Sequence, residues 1–142
     1  MEKSIGFALA AIKTEQFAVF AENYLSNKAA NVTTSLEFKI NEVDKRIGVF
    51  ATFTFDNAKK TFIKIQVSCH FSVDPESWND FKKDNLVIFP KNFISHLTML
   101  TIGTSRGVLH GKTEGTEFNK FIIPTINVND LVNKDAEFNL SL

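Results

Sequence analysis

The sequence predicts an α+β fold in which a four-stranded antiparallel sheet is followed by one long helix and a short C-terminal helix. Two observations predict it. Apolar and polar residues alternate through much of the first half of the chain, and the second half changes to a three- and four-residue spacing. No linker, repeat or low-complexity tract divides the 142 residues. Residues 1–142 are therefore expected to form a single domain.

The alternation is clearest over residues 31–73, which divide into three strands with one apolar side each. Short polar turns at residues 44–46 and 56–58 separate these strands, so neighbouring strands should pair antiparallel. Residues 5–20 alternate less regularly and are interpreted as another long strand, which gives four strands in all. A sheet of this kind buries one face and exposes the other.

Helical spacing begins after the sheet. Residues 76–83 predict a short helical turn, and an apolar run of four residues follows from Leu86 to Phe89. Pro90 suits the first position of a longer helix, because its fixed φ and missing N–H do no harm there. The apolar stripe of that helix consists of Phe93, Leu97, Leu100 and Thr104.

Three further expectations concern the helical half. Each internal glycine costs about 1 kcal/mol relative to alanine, so the long helix should weaken through Gly103, Gly107, Gly111 and Gly115. A charge placed at Leu97 or Leu100 should unfold the subunit. Near the C-terminus, Asn127 and Asp130 have the spacing of a capping pair for a final short helix.

The composition excludes several classes of protein. Sixteen basic and sixteen acidic residues balance to a net charge of zero, whereas nucleic-acid binding normally needs a basic excess. No apolar stretch approaches the roughly 20 residues of a membrane helix, so no membrane insertion is expected. The single cysteine cannot form an intrachain disulfide, which favours a reducing, cytoplasmic location.

No pattern in the chain supports catalysis or cofactor binding. The segment from Gly107 to Thr113 nearly spells a phosphate-binding loop, but a predicted helix enters it where a strand is required. Cys69 and His70 are adjacent on a strand and point to opposite faces, so they cannot form a nucleophile–base pair. The histidines do not have metal-ligand spacing. We therefore predict no catalytic residue, no metal and no cofactor, and a protein that is not an enzyme.

The most informative feature is a surplus of apolar side chains near the junctions between predicted elements. One sheet and one helix cannot easily cover them all, and apolar patches left on a protein surface usually mark subunit contacts or polypeptide-binding surfaces. The candidate polypeptide-binding residues are Phe20, Tyr24, Leu25, Trp78, Phe81, Leu86 and Ile88.

Short stretches in the right order make the sequence resemble the SecB family of protein-export chaperones. The sequence His-Phe-Ser-Val at residues 70–73 resembles the end of that family's fourth strand, and Ile-Phe-Pro at 88–90 resembles the start of its main helix. Thr-Ser-Arg-Gly at 104–107 matches a segment within that helix. Residues 126–132 resemble the closing segment, and residues 12–17 fit the first strand.

The resemblance implies a specific activity. SecB proteins are cytoplasmic homotetramers, built as dimers of dimers, that bind unfolded precursor proteins in long apolar grooves without ATP and deliver them to the SecA motor. Tyr24 and Leu25 match the loop after the first strand, which lines the family's groove. By the same resemblance, residues 78–89 would form the other wall of that groove.

The chain also departs from the family. SecB proteins dock SecA through carboxylates, but Gln16, Phe20 and Lys64 occupy the matching positions here, so SecA binding should be weak or absent. The segment between Gly107 and Phe121 contains an insertion. Three alternatives remain: a solitary SecB-like chaperone for a dedicated partner, a structural oligomer without clients, and an enzyme whose site no motif reveals.

Overall fold

The computed structural model describes residues 4–140, and its first half is the predicted sheet. Strands β1 (Phe7–Val19), β2 (Ala30–Asn41), β3 (Arg46–Asn57) and β4 (Lys60–Val73) pair antiparallel in the order β1-β4-β3-β2. This confirms the four-stranded sheet.

Strand β1 contains two irregularities in its pairing with β4, between Leu9 and Ala11 and between Thr14 and Gln16. A β-bulge inserts one residue and so reverses which face the following side chains take. The side chains of β1 on the apolar face are therefore odd-numbered before the first bulge, even-numbered between the bulges and odd-numbered after the second. They are Phe7, Leu9, Ile12, Thr14, Phe17 and Val19. This explains why the sequence alternates poorly over residues 5–20.

The connection from sheet to main helix is only partly the predicted one. Helix α1 (Pro75–Phe81) follows β4 and is capped by the Asp74 side chain, which accepts a hydrogen bond of 3.2 Å from the Ser77 N–H. Two short strands, β5 (Lys82–Lys83) and β6 (Leu86–Phe89), then pair antiparallel. The apolar run at residues 86–89 is therefore a strand of a second sheet.

Helix α2 (Lys91–Thr113) is continuous through Gly103, Gly107 and Gly111, so the expected weakening is wrong. The chain turns away two residues after the helix, at Gly115, whose φ of +79° favours glycine. Burial of one helix face against β3 and β4 outweighs the glycine cost, since packing supplies most helical stability in proteins. The buried residues of this face are Phe93, Ile94, Leu97, Thr98, Thr101, Ile102, Ser105, Leu109 and Thr113.

The stripe expected to face the sheet is not wholly buried. Leu97 is fully buried, but Leu100 is 41% exposed. The expectation that charge at Leu100 would unfold the subunit is therefore wrong, because a charge there remains in contact with water. The same expectation stands for Leu97.

The C-terminal part adds a strand that the sequence did not predict. A short 3₁₀ helix (Glu117–Lys120) leads to helix α3 (Val128–Leu131), capped by the Asn127 side chain, which accepts from the Asn129 N–H at 3.1 Å. Strand β7 (Ala136–Asn139) then pairs antiparallel with β6, giving the order β5-β6-β7. Within residues 4–140, no helix combines the length and apolar character needed to cross a bilayer.

Candidate functional site

The crossover loop, residues 20–29, joins β1 to β2 and is fixed to the sheet by one buried amide. The Oδ1 atom of Asn57 accepts a hydrogen bond of 2.5 Å from the Leu25 N–H. Its Nδ2 group donates to the carbonyls of Lys28 and Ala29, at 3.1 Å and 3.2 Å. An amide side chain can accept and donate at once, so a fully buried Asn57 holds the loop in one conformation.

Tyr24 attaches the same loop to an aromatic cluster. Its ring centroid lies 5.0 Å from that of Phe62, 5.4 Å from Phe121 and 5.5 Å from Phe118. The Lys120 ammonium lies 5.3 Å from the centroid of the same ring. The contacts with Phe118 and Phe121 are T-shaped, and such pairs stabilise by about 0.5–1.5 kcal/mol beyond the area they bury. Tyr24 is therefore a half-buried support of the loop rather than a freely exposed side chain.

Exposed apolar side chains lie close in the chain to Tyr24 and to its partner Phe121. Phe20 is 39% exposed, Leu25 43% and Ile122 67%. We call these three residues, together with the half-buried Tyr24 and Phe121, the crossover patch. Residues 121–123 form an apolar run in the sequence, but no local pattern shows that this run meets the crossover loop in space.

Trp78 does not belong to any surface, because the structure buries it completely. Its indole N–H donates to the Glu42 carboxylate at 2.6 Å, and the Lys82 ammonium donates to the same carboxylate at 2.9 Å. The hydrogen bond from Lys82, helped by that from Trp78, lowers the pKa of Glu42. A client chain cannot reach this ring in the structure, so the assignment of Trp78 as an accessible binding residue is wrong.

The remaining predicted binding residues lie far from the crossover patch. The Gly6 N–H donates to Ser77 Oγ at 3.2 Å, which places α1 at the start of β1. Phe81 is half-buried there, with its ring 5.2 Å from that of Phe89. Leu86 and Ile88 are half-exposed on the outer side of β6. Thirteen residues of strand at about 3.3 Å each separate the two ends of β1, so one chain does not bring the two groups together.

The predicted docking positions do lie together. Gln16, Lys64 and Phe20 line a shallow depression of about 360 Å³, together with Phe17 and Ala18. Lys64 is the one charged side chain among these lining residues, and none of them is acidic.

A serine, a histidine and a glutamate meet on the outer face of the sheet. Ser68 Oγ donates to Glu15 Oε1 at 2.8 Å and lies 2.9 Å from His70 Nε2. Because the serine proton is directed to Glu15, Ser68 does not donate it to His70 as a nucleophile–base pair requires. Burial lowers the pKa of His70, and the charge of Lys13 adds to this effect. Ser68 is also fully buried, so this group does not form a nucleophilic site.

A second apolar surface lies on the side of the sheet that carries α2. Leu9 and Ile12 pair with Phe71 and Cys69, which face α2, yet each is about half exposed. We call Leu9 and Ile12, together with the exposed Met99 and Leu100 of α2, the helix-side patch. Gly103, Gly107 and Gly111 continue the exposed side of the helix, and a Cβ at any of them would meet nothing within 4 Å. A neighbouring chain can therefore approach this backbone closely.

The titratable side chains give no sign of a metal centre. Among residues 4–140, no three His, Cys, Asp or Glu side chains are grouped so that they could hold an ion. Cys69 is a free, fully buried cysteine on the apolar face, opposite in direction to His70.

Comparison with known proteins adds a structural likeness. No family model matches the chain, and no curated protein sequence does. A SecB-like chaperone of Mycobacterium tuberculosis, solved in complex with a ChAD peptide from the HigA1 antitoxin, superposes with a TM-score of 0.52 at 7% identity, over 85% of this chain and 91% of that chain. A Streptococcus agalactiae protein of unknown function gives a TM-score of 0.40 at 14% identity, over 88% of this chain and all of that one. The first likeness shows a SecB-like fold.

Proposed function

We propose that this chain is a non-enzymatic, ATP-independent chaperone subunit that holds unfolded polypeptides on the crossover patch. The observation that carries the proposal is the exposure of Phe20 and Leu25 on a loop that Asn57 fixes to a SecB-like sheet. Binding by apolar contact needs no specific sequence in the client, because the hydrophobic effect is non-directional. A loop held in place also loses little conformational entropy when a client binds.

The resemblance of the sequence to SecB proteins and the likeness of the folds both support this proposal. The Mycobacterium tuberculosis neighbour was solved with a peptide from an antitoxin, which supports polypeptides as the class of ligand. We further propose that the chain serves as a solitary chaperone for a dedicated partner rather than for export. The depression lined by Gln16, Phe20 and Lys64 lacks an acidic lining residue that could attract a basic segment of SecA.

The direct test replaces Phe20 and Leu25 by serine together. Removing two partly exposed apolar side chains should cost about 2 kcal/mol of binding free energy in total, since full burial of one contributes about 1.5–3 kcal/mol. Affinity for reduced, carboxymethylated α-lactalbumin, measured by fluorescence anisotropy, should then fall at least tenfold. Titration of the wild-type protein with SecA from the same organism should show little or no binding.

The matched control is Val43→Ser, which removes an exposed apolar side chain from the β2–β3 turn. It should leave client affinity unchanged. Equal losses in the control and in the double variant would show that binding does not depend on the crossover patch. Tight, salt-sensitive SecA binding would contradict the solitary role.

A structural oligomer without clients is the second candidate, and the helix-side patch favours it. Leu9, Ile12, Met99 and Leu100 are exposed apolar residues away from the crossover loop, and such a surface can hold subunits together without any client. If the purified wild-type protein neither binds the unfolded chain nor suppresses its aggregation, this second candidate replaces the first.

A further inference from the structure

The C-terminal strand β7 forms one edge of the second sheet. It adds to the edge of β6 with four residue pairs, from Leu86 opposite Asn139 to Phe89 opposite Ala136. One more hydrogen bond, of 2.6 Å, joins the Leu140 N–H to the Asn85 carbonyl. In this arrangement backbone hydrogen bonds supply affinity and alternate side chains supply specificity.

The side chains of this strand show what the edge of β6 accepts. Ala136, Phe138 and Leu140 are half-buried and alternate with the exposed Glu137 and Asn139. The ring of Phe138 lies 5.8 Å from that of Phe89, in a T-shaped contact. The site therefore takes an extended segment with an apolar side chain at every second position.

The segment pairs with one strand only and is joined to the start of α2 by Asp135, whose Oδ1 accepts a hydrogen bond of 2.8 Å from the Lys91 N–H. We call residues 133–140 the strap. Beside it lies a cavity of about 610 Å³, bounded by Leu36 and Phe38 of β2, by Ile94 of α2 and by the strap itself from Asn133 to Phe138. A short strand paired on one edge is marginally stable by itself, and such elements open at lower free energy than the central sheet.

We propose that the edge of β6 is a strand-addition site for client polypeptides and that the strap is its intramolecular competitor. This inference rests on the proposed function. The occupant is an unfolded segment with apolar side chains at alternate positions, because the strap seated there has that pattern. A tethered strand competes as if present at roughly millimolar concentration. The strap therefore excludes client segments of low affinity for the edge of β6 and is displaced by segments of high affinity.

The test locks the strap in the full-length chain with Ile88→Cys and Glu137→Cys. These residues are directly opposite each other. They form a non-hydrogen-bonded pair, since such pairs alternate with hydrogen-bonded ones and Asn85 is bonded to Leu140. Side chains are closest at such pairs, which suits a disulfide. Cys69 is fully buried and should not exchange with the new pair.

The oxidised variant should bind reduced, carboxymethylated α-lactalbumin at least tenfold more weakly than the same variant after reduction. Circular dichroism must show that both forms are folded. In a second arm, Phe138→Ser removes the strap's contact with Phe89 and should raise the affinity of an otherwise unmodified chain several-fold.

Equal affinity of the oxidised and reduced forms overturns the inference, as does weaker binding by the Phe138→Ser variant. Dimers formed by exchange of β7 between copies, without a gain in client binding, overturn it too, since the occupant is then a second copy. If the wild type binds the client but the disulfide between the two new cysteines does not weaken binding, the strap proposal fails and the proposed function stands. If no form binds the client, the proposed function fails with it.

Discussion

A single buried amide determines the conformation of the candidate site. Asn57 makes three hydrogen bonds to the crossover loop, and replacement by alanine leaves one N–H and two carbonyls without their partner. We expect Asn57→Ala to lower the free energy of unfolding by about 2–3 kcal/mol, as measured by urea denaturation. Asn31→Ala, at an exposed position of β2, is the control and should change stability by less than about 0.5 kcal/mol. Equal effects would show that the loop does not depend on Asn57.

His70 should make stability depend on pH. Burial and the charge of Lys13 lower the pKa of His70 from 6.5, and the charge of Arg46 adds to this, while Glu15 opposes it. The unfolded chain therefore takes up a proton at a higher pH than the folded chain does. The contribution of His70 to stability is fully present above about pH 6.5 and is lost as the pH falls through that value toward the lower folded pKa.

Urea denaturation of the wild type and of His70→Gln at pH 8 and pH 5 tests this. The wild type should lose more stability than the variant over that interval, since His96 and His110 are common to both proteins. Parallel changes in the two proteins would show that His70 titrates in the folded state as it does in the unfolded chain.

At the scale of the elements, substitution of a glycine in α2 should change the free energy of unfolding. A Cβ at Gly103 meets no atom of its own subunit within 4 Å, so in the dissociated subunit Gly103→Ala should raise the free energy of unfolding by about 0.5–1 kcal/mol through helix propensity alone. Gly48→Ala is the contrasting substitution. Its Cβ would lie 3.0 Å from His70 Nδ1 and 3.1 Å from the Phe50 ring, so this variant should be less stable than the wild type. Destabilisation at Gly103 would mean that another chain packs on it.

The sequence predicts elements best where one physical rule acts alone. In β2, β3 and β4 the apolar side chains stay at every second position, and these strands were predicted correctly. In β1 the alternation is interrupted at two bulges, and no local sequence pattern indicates where they lie. Helix α2 persists through three glycines because buried contacts outweigh propensity. Strand β7 was missed because its partner β6 lies some fifty residues earlier in the chain.

The candidate site was predicted in part, for a related reason. The crossover residues Phe20, Tyr24 and Leu25 were identified because they stand where the alternation of β1 ends. Their neighbour Phe121, which precedes Ile122 in the chain, comes from a distant segment, and only tertiary structure brings its ring near Tyr24. Trp78 was predicted to be exposed, but the structure buries it because Glu42 and Phe89, which are distant in sequence, pack around its ring.

At the scale of the whole molecule, the helix-side patch predicts self-association into a dimer or a homotetramer. Leu100→Asp places a charge on this exposed patch, so it should reduce the mass measured by light scattering while the subunit keeps its circular dichroism spectrum. Leu97→Asp, at a fully buried position, should instead unfold the chain, because an unpaired buried charge costs several kcal/mol. A wild-type protein that is monomeric at all concentrations would contradict the assembly.

The buried Trp78 is an intrinsic fluorescence probe that reports on the region around the strap. It is the one tryptophan of the sequence, and its emission depends on the indole's surroundings rather than on the total aromatic content. The ring lies 5.4 Å from that of Phe89, and Phe89 in turn contacts Phe138 of the strap. Displacement of the strap should therefore shift the emission spectrum. A client without tryptophan that binds only at the crossover patch, at the far end of β1, should leave the spectrum unchanged, so the two modes of binding can be distinguished without a label.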